Sequence, residues 1–581
     1  MSCDKLVFDL SQEIEGSPNV FVKKDWLNIL DNQSSNYNSN QSVIDTSQLS
    51  NSNKYMSYRE SFLAVPLLLT MVSTTDASFA GFQPTTSNPD YSLGLKNWFG
   101  QIVHSMTLDY NGTTIIQQTP YINMWNSFKL MTSLSWSDIA TMGSTIGFYP
   151  DDPLTWVYQS AASTDGMGVC NNTNASAAAS GALQTIVTGA PNNYKAGQGN
   201  VGFLKRQQFI NYDSIGIPGS GTYNDILTPA AASTIWKSYI FNKVNGVNNT
   251  RPGVFQQAIM ATVYLRHLHS FFDSVPLLKG VFMKLTLNLN NTTTSFSSAG
   301  GAGNITLTSV SNSVGGVNPL MIASARAANG NVAQLGLTTY KANISVGATC
   351  LDSTISSLAN VQKGSLAQSV YLYVPAYTFN PVFEQAYLSS PVKKIDYTDV
   401  YQYQVLNTLA GAQINSLLTN GIASVKSILV VPFYSSSLAG NTGLPTGMPV
   451  YQSPFDPAGC GCTSPLAYIN NFNVVVSGQN AIYNTITHPG FEYFSTQFYG
   501  VNAVNGGMTS GLTSGLIDSQ GWEMEYTYYY VDISRMLPVE ESVPKSVQLV
   551  GQNVSAKSLD LFCFIEYGVS VSIDILTGAR V

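Results

Sequence analysis

The chain has 581 residues, 44% of them hydrophobic but only 10% Asp, Glu, Lys or Arg, and its 26 basic and 33 acidic residues leave a net charge of −7. Ordinary globular domains carry about 25% charged residues, so this composition describes a surface covered by neighbours and excludes a general polyanion binder. The length is too great for one ordinary core and suits two large domains.

From the N-terminus, residues 1–54 read as a partly flexible arm. The first fifteen residues hold Asp4, Glu13 and Glu15 without a basic leader or a long apolar stretch, so no secretory signal is expected. Leu6-Val7-Phe8 and Trp26-Leu27-Asn28-Ile29-Leu30 are apolar pieces that could anchor the arm. Residues 32–53 are an Asn/Ser/Gln tract too poor in apolar side chains to fold alone.

Ordered β structure is expected from Tyr55 onward. The longest apolar run, Phe62 to Leu69, contains Pro66 and stops at Thr70, well short of the ~20 residues a membrane helix needs. Residues 98–110 read as a strand element, and Asn111-Gly112 is a tight-turn signal before Thr113-Thr114-Ile115-Ile116. Residues 472–478 repeat that pattern in the second half, again turning at glycine. Residues 160–200 and 293–336, rich in Gly, Ala, Ser and Asn, read as long exposed loops. After Gly280 the segment Val281 to Leu289 alternates apolar and polar, and after Gly568 so does Val569 to Ile575. The second copy ends the chain, so the first is expected to end an earlier domain of the same kind. Short helices are expected at residues 383–388 and 408–418. The rest is short β segments between Gly, Pro, Asn and Ser, which points to sandwiches or barrels.

Candidate chemistry is sparse. On a strand, His267 and His269 would point the same way and could share a metal, with Asp273 following, as in the first motif of the cupins. Ala261 stands where that motif wants glycine, and the next histidine is His488, so a structural role outweighs a metal site. Cys460-Gly461-Cys462 has too short a spacing for a Cys-x-x-Cys redox pair. The run from Gly507 to Gly515 lacks the serine and the strand-to-helix flanks of a nucleophile elbow. Lys205-Arg206 and Lys393-Lys394 are isolated basic pairs, suited to solvated turns or salt bridges between subunits. No nucleophile, base and oxyanion site assemble, so no catalytic, cofactor-binding or metal residue is assigned, and no cofactor.

Five segments carry a family resemblance: residues 53–67, 96–112, 271–280, 528–535 and 573–578. In their order the chain resembles the double jelly-roll major capsid proteins of virophages and polinton-like viruses. The resemblance implies an all-β fold of two tandem eight-stranded antiparallel jelly rolls with long loops and few short helices. It divides the chain into an arm (1–54), a first roll (55–291), a connecting surface loop region (292–345) and a second roll (346–581). It also implies a homotrimeric, pseudo-hexameric capsomer that tiles an icosahedral shell around a dsDNA genome. The partners would be neighbouring capsomers, penton and minor capsid proteins, with no sequence-specific nucleic-acid binding and no membrane span. The place would be the virion, assembled inside the host cell, and the protein would not be an enzyme. Two other readings stand beside it: a cupin-like metal-dependent enzyme using His267 and His269, and a host-binding surface β protein.

Overall fold

A computed structural model of the protein describes residues 19–49, 52–73, 91–151, 201–206, 208–209, 254–299, 304–312, 314–324, 338–347, 368–435, 449–454, 458–459, 461–464, 466–504, 515–534, 542–575 and 579–580. The strands before residue 380 are β1 (Phe21–Leu30), β2 (Gln41–Asp45), β3 (Tyr55–Met56), β4 (Phe62–Ser73), β5 (Tyr91–Leu95), β6 (Val103–Tyr110), β7 (Thr113–Ile116), β8 (Gln208–Phe209), β9 (Val254–Tyr264), β10 (Met283–Leu289), β11 (Thr292–Ala299), β12 (Asn304–Asn312), β13 (Leu320–Ser324), β14 (Thr338–Val346) and β15 (Tyr371–Phe379). After it come β16 (Val392–Thr408), β17 (Gln413–Ile422), β18 (Val425–Tyr434), β19 (Ile469–Val476), β20 (Gln479–Asn480), β21 (Tyr529–Asp532), β22 (Lys545–Asn553) and β23 (Leu559–Asp574).

The second set forms two four-stranded sheets, ordered β16-β23-β18-β21 and β17-β22-β19-β20, all antiparallel. Counted from β16, these orders are first-eighth-third-sixth and second-seventh-fourth-fifth. That is a hairpin wound on itself into a sandwich, the jelly roll. The first set repeats the plan. β1-β15-β4-β9 holds the first, eighth, third and sixth places, and β2-β10-β6-β7 the second, seventh, fourth and fifth. Around this frame β14, β11 and β12 widen the first sheet, and β13-β5-β8 form a small separate one. The protein is thus two tandem eight-stranded jelly rolls.

Side-chain period explains most strands. β10 alternates buried Met283, Leu285, Leu287 and Leu289 with polar residues, and β22 alternates over its whole length. The turn between β6 and β7 places Asn111 (φ 46°) and Gly112 (φ 79°) in the left-handed region, and Ser477 (φ 49°) and Gly478 (φ 84°) do the same between β19 and β20. Both central residues of this two-residue hairpin turn need positive φ, so the two halves use one device at the same fourth-to-fifth step.

Several expectations change. Residues 21–45 are not an arm but supply the first two strands of the first roll: β1 pairs β15 from Phe21 to Leu30, and β2 pairs β10. The polar tract between them is pinned by Tyr37, fully buried, whose hydroxyl accepts the Val370 N–H (2.7 Å). Gly347 lets it fit, since at φ 92° a Cβ there would lie 2.5 Å from the Tyr37 ring. Residues 1–18 lie outside the described residues.

The described residues of 292–345 are not loop but mostly strand, because β-branched threonine pairs well on both sides: β11 lies between β12 and β14, with Thr292, Thr294 and Phe296 buried, while residues 300–303, 313 and 325–337 lie outside the described residues. The first roll therefore runs past residue 291 to β15, and the second begins at Val392. The likeness of the segments after Gly280 and Gly568 is one of pattern, not of place. β10 is a seventh strand and β23 an eighth, in different sheets, with Gly568 inside β23. The helix expected at 408–418 is instead the turn at residues 409–412, with Gly411 at φ 78°, followed by the first half of β17. Residues 160–200 lie outside the described residues, as do Cys460 and residues 505–514.

Helices fill the connections. Between β7 and β9 lie α1 (Ile122–Ser133), α2 (Trp136–Ile146) and α3 (Val201–Arg206). Next come α4 (Leu265–Leu268), α5 (Phe271–Ser274) and α6 (Pro381–Leu388). Between β20 and β21 lie α7 (Phe491–Val504) and α8 (Ser519–Met524). The expected helix at 383–388 is α6, capped by Asn380 with proline in its first turn. α2 was legible but unread: Ser135 and Asp138 form a capping box, and Gly147 (φ 65°) ends it. Among the described residues no helix is long and apolar enough to cross a membrane.

Candidate functional site

Side chains of both rolls meet at the junction between them, and β23 explains why it exists. From Leu559 to Glu566 every residue is buried, whereas from Tyr567 onward burial is partial or alternates. A strand buried on both faces reads as a continuous apolar run, here Leu561-Phe562-Cys563-Phe564-Ile565. Pairing with β16 and β18 puts Phe562, Phe564 and Glu566 on one face with Leu429 and Val400, and Tyr530 of β21 joins them. That face receives α1. Trp125 lies 6.3 Å from Phe564, and Phe128 lies 5.1 Å from Tyr528 and 5.3 Å from Tyr530. Just before the helix, Tyr121 meets Phe562 at 5.0 Å and Tyr451 at 5.9 Å. Each such aromatic pair adds about 0.5–1.5 kcal/mol beyond its buried area. Glu566, on the same face, accepts a hydrogen bond from Ser427 (2.8 Å) and stands 3.6 Å from the Lys129 ammonium of α1.

Polar links pin the edges of this contact. Thr119 donates to the Val400 carbonyl (2.7 Å) and Tyr397 to that of Ile115 (2.8 Å). The fully buried Lys96 donates to the Ser453 carbonyl (2.7 Å), and Asn318 to that of Gln452 (3.0 Å). Asp151 and Arg206 form a buried ion pair at 2.6 Å, and Arg206 also donates to the Leu95 and Tyr149 carbonyls. Tyr526 of the second roll closes on this pair by donating to the Asp151 carbonyl. Removing one partner from such a buried pair strands the other charge.

His267 and His269 lie beside the junction, but not on a strand. His267 is in α4 and His269 is its C-terminal cap, so they do not share the strand face that a common metal would need. His269 Nδ1 accepts the Phe271 N–H (3.1 Å), which leaves Nε2 to carry the proton facing Asp399 Oδ1 at 3.3 Å. Both of its nitrogens are engaged, and its work is to tie the first roll to β16. Burial, with a smaller contribution from Arg266, lowers the His267 pKa to about 4, and burial does the same to His104. Burial raises the pKa of Asp273, while Ala261 lies in the core strand β9 and His488 is exposed on a loop. Around α1 and α4 is a cleft of about 270 Å³ that includes Asn126, Lys129, Arg266 and both histidines in its lining. Among the described residues no three His, Cys, Asp or Glu side chains cluster as metal ligands would.

The basic pairs stay within the chain. Lys205 lies over the Tyr149 ring (5.1 Å), and Arg206 serves the buried pair described above. Lys393 donates to the Tyr387 carbonyl (3.2 Å), and Lys394 pairs with Asp396 (3.0 Å). Cys462 is buried in the loop that also holds Gly461, whose carbonyl accepts from Tyr528. Sequence reasoning passed over α1, although Trp125, Phe128 and the unbroken apolar run in β23 were its visible signals.

No protein-family model and no curated protein matches the chain. Among solved structures it is similar to a chain of the Sputnik virophage, at 13% identity and a TM-score of 0.46, covering 98% of this chain and 90% of that one. It is also similar to the mavirus major capsid protein (8% identity, TM-score 0.45, 99% and 92% covered). The Faustovirus major capsid protein is a third (10%, 0.40, 98% and 94%).

Proposed function

We propose that the chain is a major capsid protein, a structural tile and not an enzyme, whose place is the virion. In this reading three copies form a trimer with six rolls around its axis, and such trimers tile an icosahedral shell around a dsDNA genome. Penton and minor capsid proteins complete that shell. The observation that carries the reading is the junction: α1 and the doubly buried half of β23 fuse two jelly rolls into one block. A tile needs a rigid body with broad flanks, which such a block supplies. The low charge, 10% of the residues, supports flanks that meet neighbours.

Electron microscopy and light scattering of the purified chain test this. Trimers with a six-lobed outline are expected, each interface exceeding the standard ~1,600 Å² of total buried surface. A stable monomer at micromolar concentration would sink the reading.

A further inference from the structure

The cleft beside the junction holds polar groups that the chain itself leaves unused. It has a volume of about 270 Å³ and opens at the surface, where the Lys129 side chain of its lining is 47% exposed. Asn126, on α1, is 4% exposed, and its amide nitrogen has no hydrogen-bond partner. Arg266 Nε and His267 Nδ1, both on α4, are likewise buried without one. The great majority of buried polar atoms are hydrogen-bonded, so three orphans in the lining of one cleft point to a partner from outside the chain.

Packing holds these groups in place. Arg266 lies over the Tyr264 ring at 5.4 Å, and Lys129 over that of Trp125 at 5.1 Å. The His267 ring meets those of Tyr264 and Trp98 at 5.6 and 6.3 Å. His269 differs, since both its nitrogens are engaged within the chain. Lys129 and Arg266 are the cations of the lining and Asp273 its carboxylate. Asp273 feels the charges of Arg266 and of Arg59 but bonds none of the three orphaned atoms. Lys129 has Glu566 at a long 3.6 Å and keeps the rest of its ammonium free to turn.

We propose that this cleft binds a phosphate group. Two cations, an amide N–H and an imidazole, offered from two helices, suit a tetrahedral ion with four acceptor oxygens, and the planar guanidinium of Arg266 matches phosphate closely. The cleft is smaller than the ~300–1,000 Å³ of drug-sized sites, which favours an occupant of that size. Thr398 and Val400 of β16 complete the lining, and α1 covers the second roll's sheet, so the bound ion braces the helix that joins the rolls. This site is independent of the capsid reading.

Calorimetric titration of the full chain with inorganic phosphate, at an ionic strength held constant with chloride, tests this. Saturable binding of one phosphate per chain is expected. Arg266→Gln should weaken it about tenfold or more, as loss of a hydrogen bond to a charged group does. Lys205→Gln, which removes a cation that lies over Tyr149 outside the cleft, should leave it unchanged. Asn126→Leu separates a ligand group from a structural one. The amide nitrogen bonds nothing in the chain, so the urea midpoint in chloride should hold or rise while phosphate affinity falls several-fold. Should Arg266→Gln fail to fold, Lys129→Gln takes its place with the same expectation. Adenosine monophosphate is the second titrant: binding of the nucleotide identifies a phosphate ester as the occupant, and binding of phosphate alone the free ion. No saturable binding of either, or binding that Arg266→Gln and Asn126→Leu leave unchanged, overturns the inference.

Discussion

The two rolls share one strand order and one hairpin device, yet they differ where the eighth strand runs. In the second roll that place is filled by a single strand of 16 residues, β23, half of it buried on both faces. In the first roll it is divided between β14 and β15, which pair with successive parts of β4, and three more strands stand between the seventh place and the eighth. A jelly roll thus tolerates a break in a central strand if each piece finds its own partner on the neighbour. The second roll covers the apolar outer face of the sheet that holds β23 by borrowing a helix from the first.

The largest expected effect tests that borrowing. Replacing Trp125 or Phe128 by alanine should cost about 3–5 kcal/mol each, since either leaves a cavity against Phe564 or Tyr530. Tyr373→Ala, on the face of the first roll where Tyr373 stacks on Phe62 and Trp26 is half exposed, should cost well under half as much in the isolated chain. Urea unfolding of the three variants checks it, and equal costs would erase the distinction between the faces. Next comes Arg206→Ala, which removes the ion-pair partner of the buried Asp151 carboxylate and should cost about 3–5 kcal/mol. Hydrogen exchange should then rise around Leu95 and Tyr526, which the pair ties together, and not at β22.

Acid should separate the rolls by a smaller margin. His104 and His267, both in the first roll, have pKa values lowered to about 4 by burial, against 6.5 ordinarily. Between those values the unfolded chain binds protons at these two histidines that the folded chain does not, so their contribution to stability falls as pH drops from about 6.5 to about 4 and levels off below. The loss is at most about 3 kcal/mol per histidine. Exchange measured at pH 7 and pH 4.5 should show the first roll loosening first, and His267→Gln should remove part of the slope. The smallest effect tests likeness instead of difference. A Cβ at Gly112 or Gly478 would meet nothing within 4 Å, so alanine at either costs only the left-handed backbone, roughly 1 kcal/mol. Unequal costs would mean that the two hairpins are not equivalent.

What could be read from the residues was what is local. Asn111-Gly112 and the turn at Gly478 carry their own geometry, so the matching hairpins were visible from short-range chemistry. The alternation in β10 and in the outer half of β23 was equally plain, and so was α6 behind Asn380-Pro381. β1 and β2 were missed because their partners β15 and β10 lie at the far end of the first roll's sequence, and a polar tract gives no hint that Tyr37 will be buried. β11 and β12 read as loop because Ser, Asn and Gly outweigh threonine, whose preference shows only once strands flank it. Of the junction, the apolar run in β23 was in view, but a buried run does not say what covers it. The histidine pair misled through an assumed strand where a helical turn stands.

The ion pair of Asp151 with Arg206 has one more consequence. It joins the residue just before position 152 to the helix just after position 200, so both ends of that stretch are fastened to each other and to the core. The cost of closing a loop grows only by about 0.6 kcal/mol for each doubling of its length. Changes in the number of residues between Asp151 and Arg206 therefore carry a small closure cost, because the ion pair holds the two ends whatever lies between them.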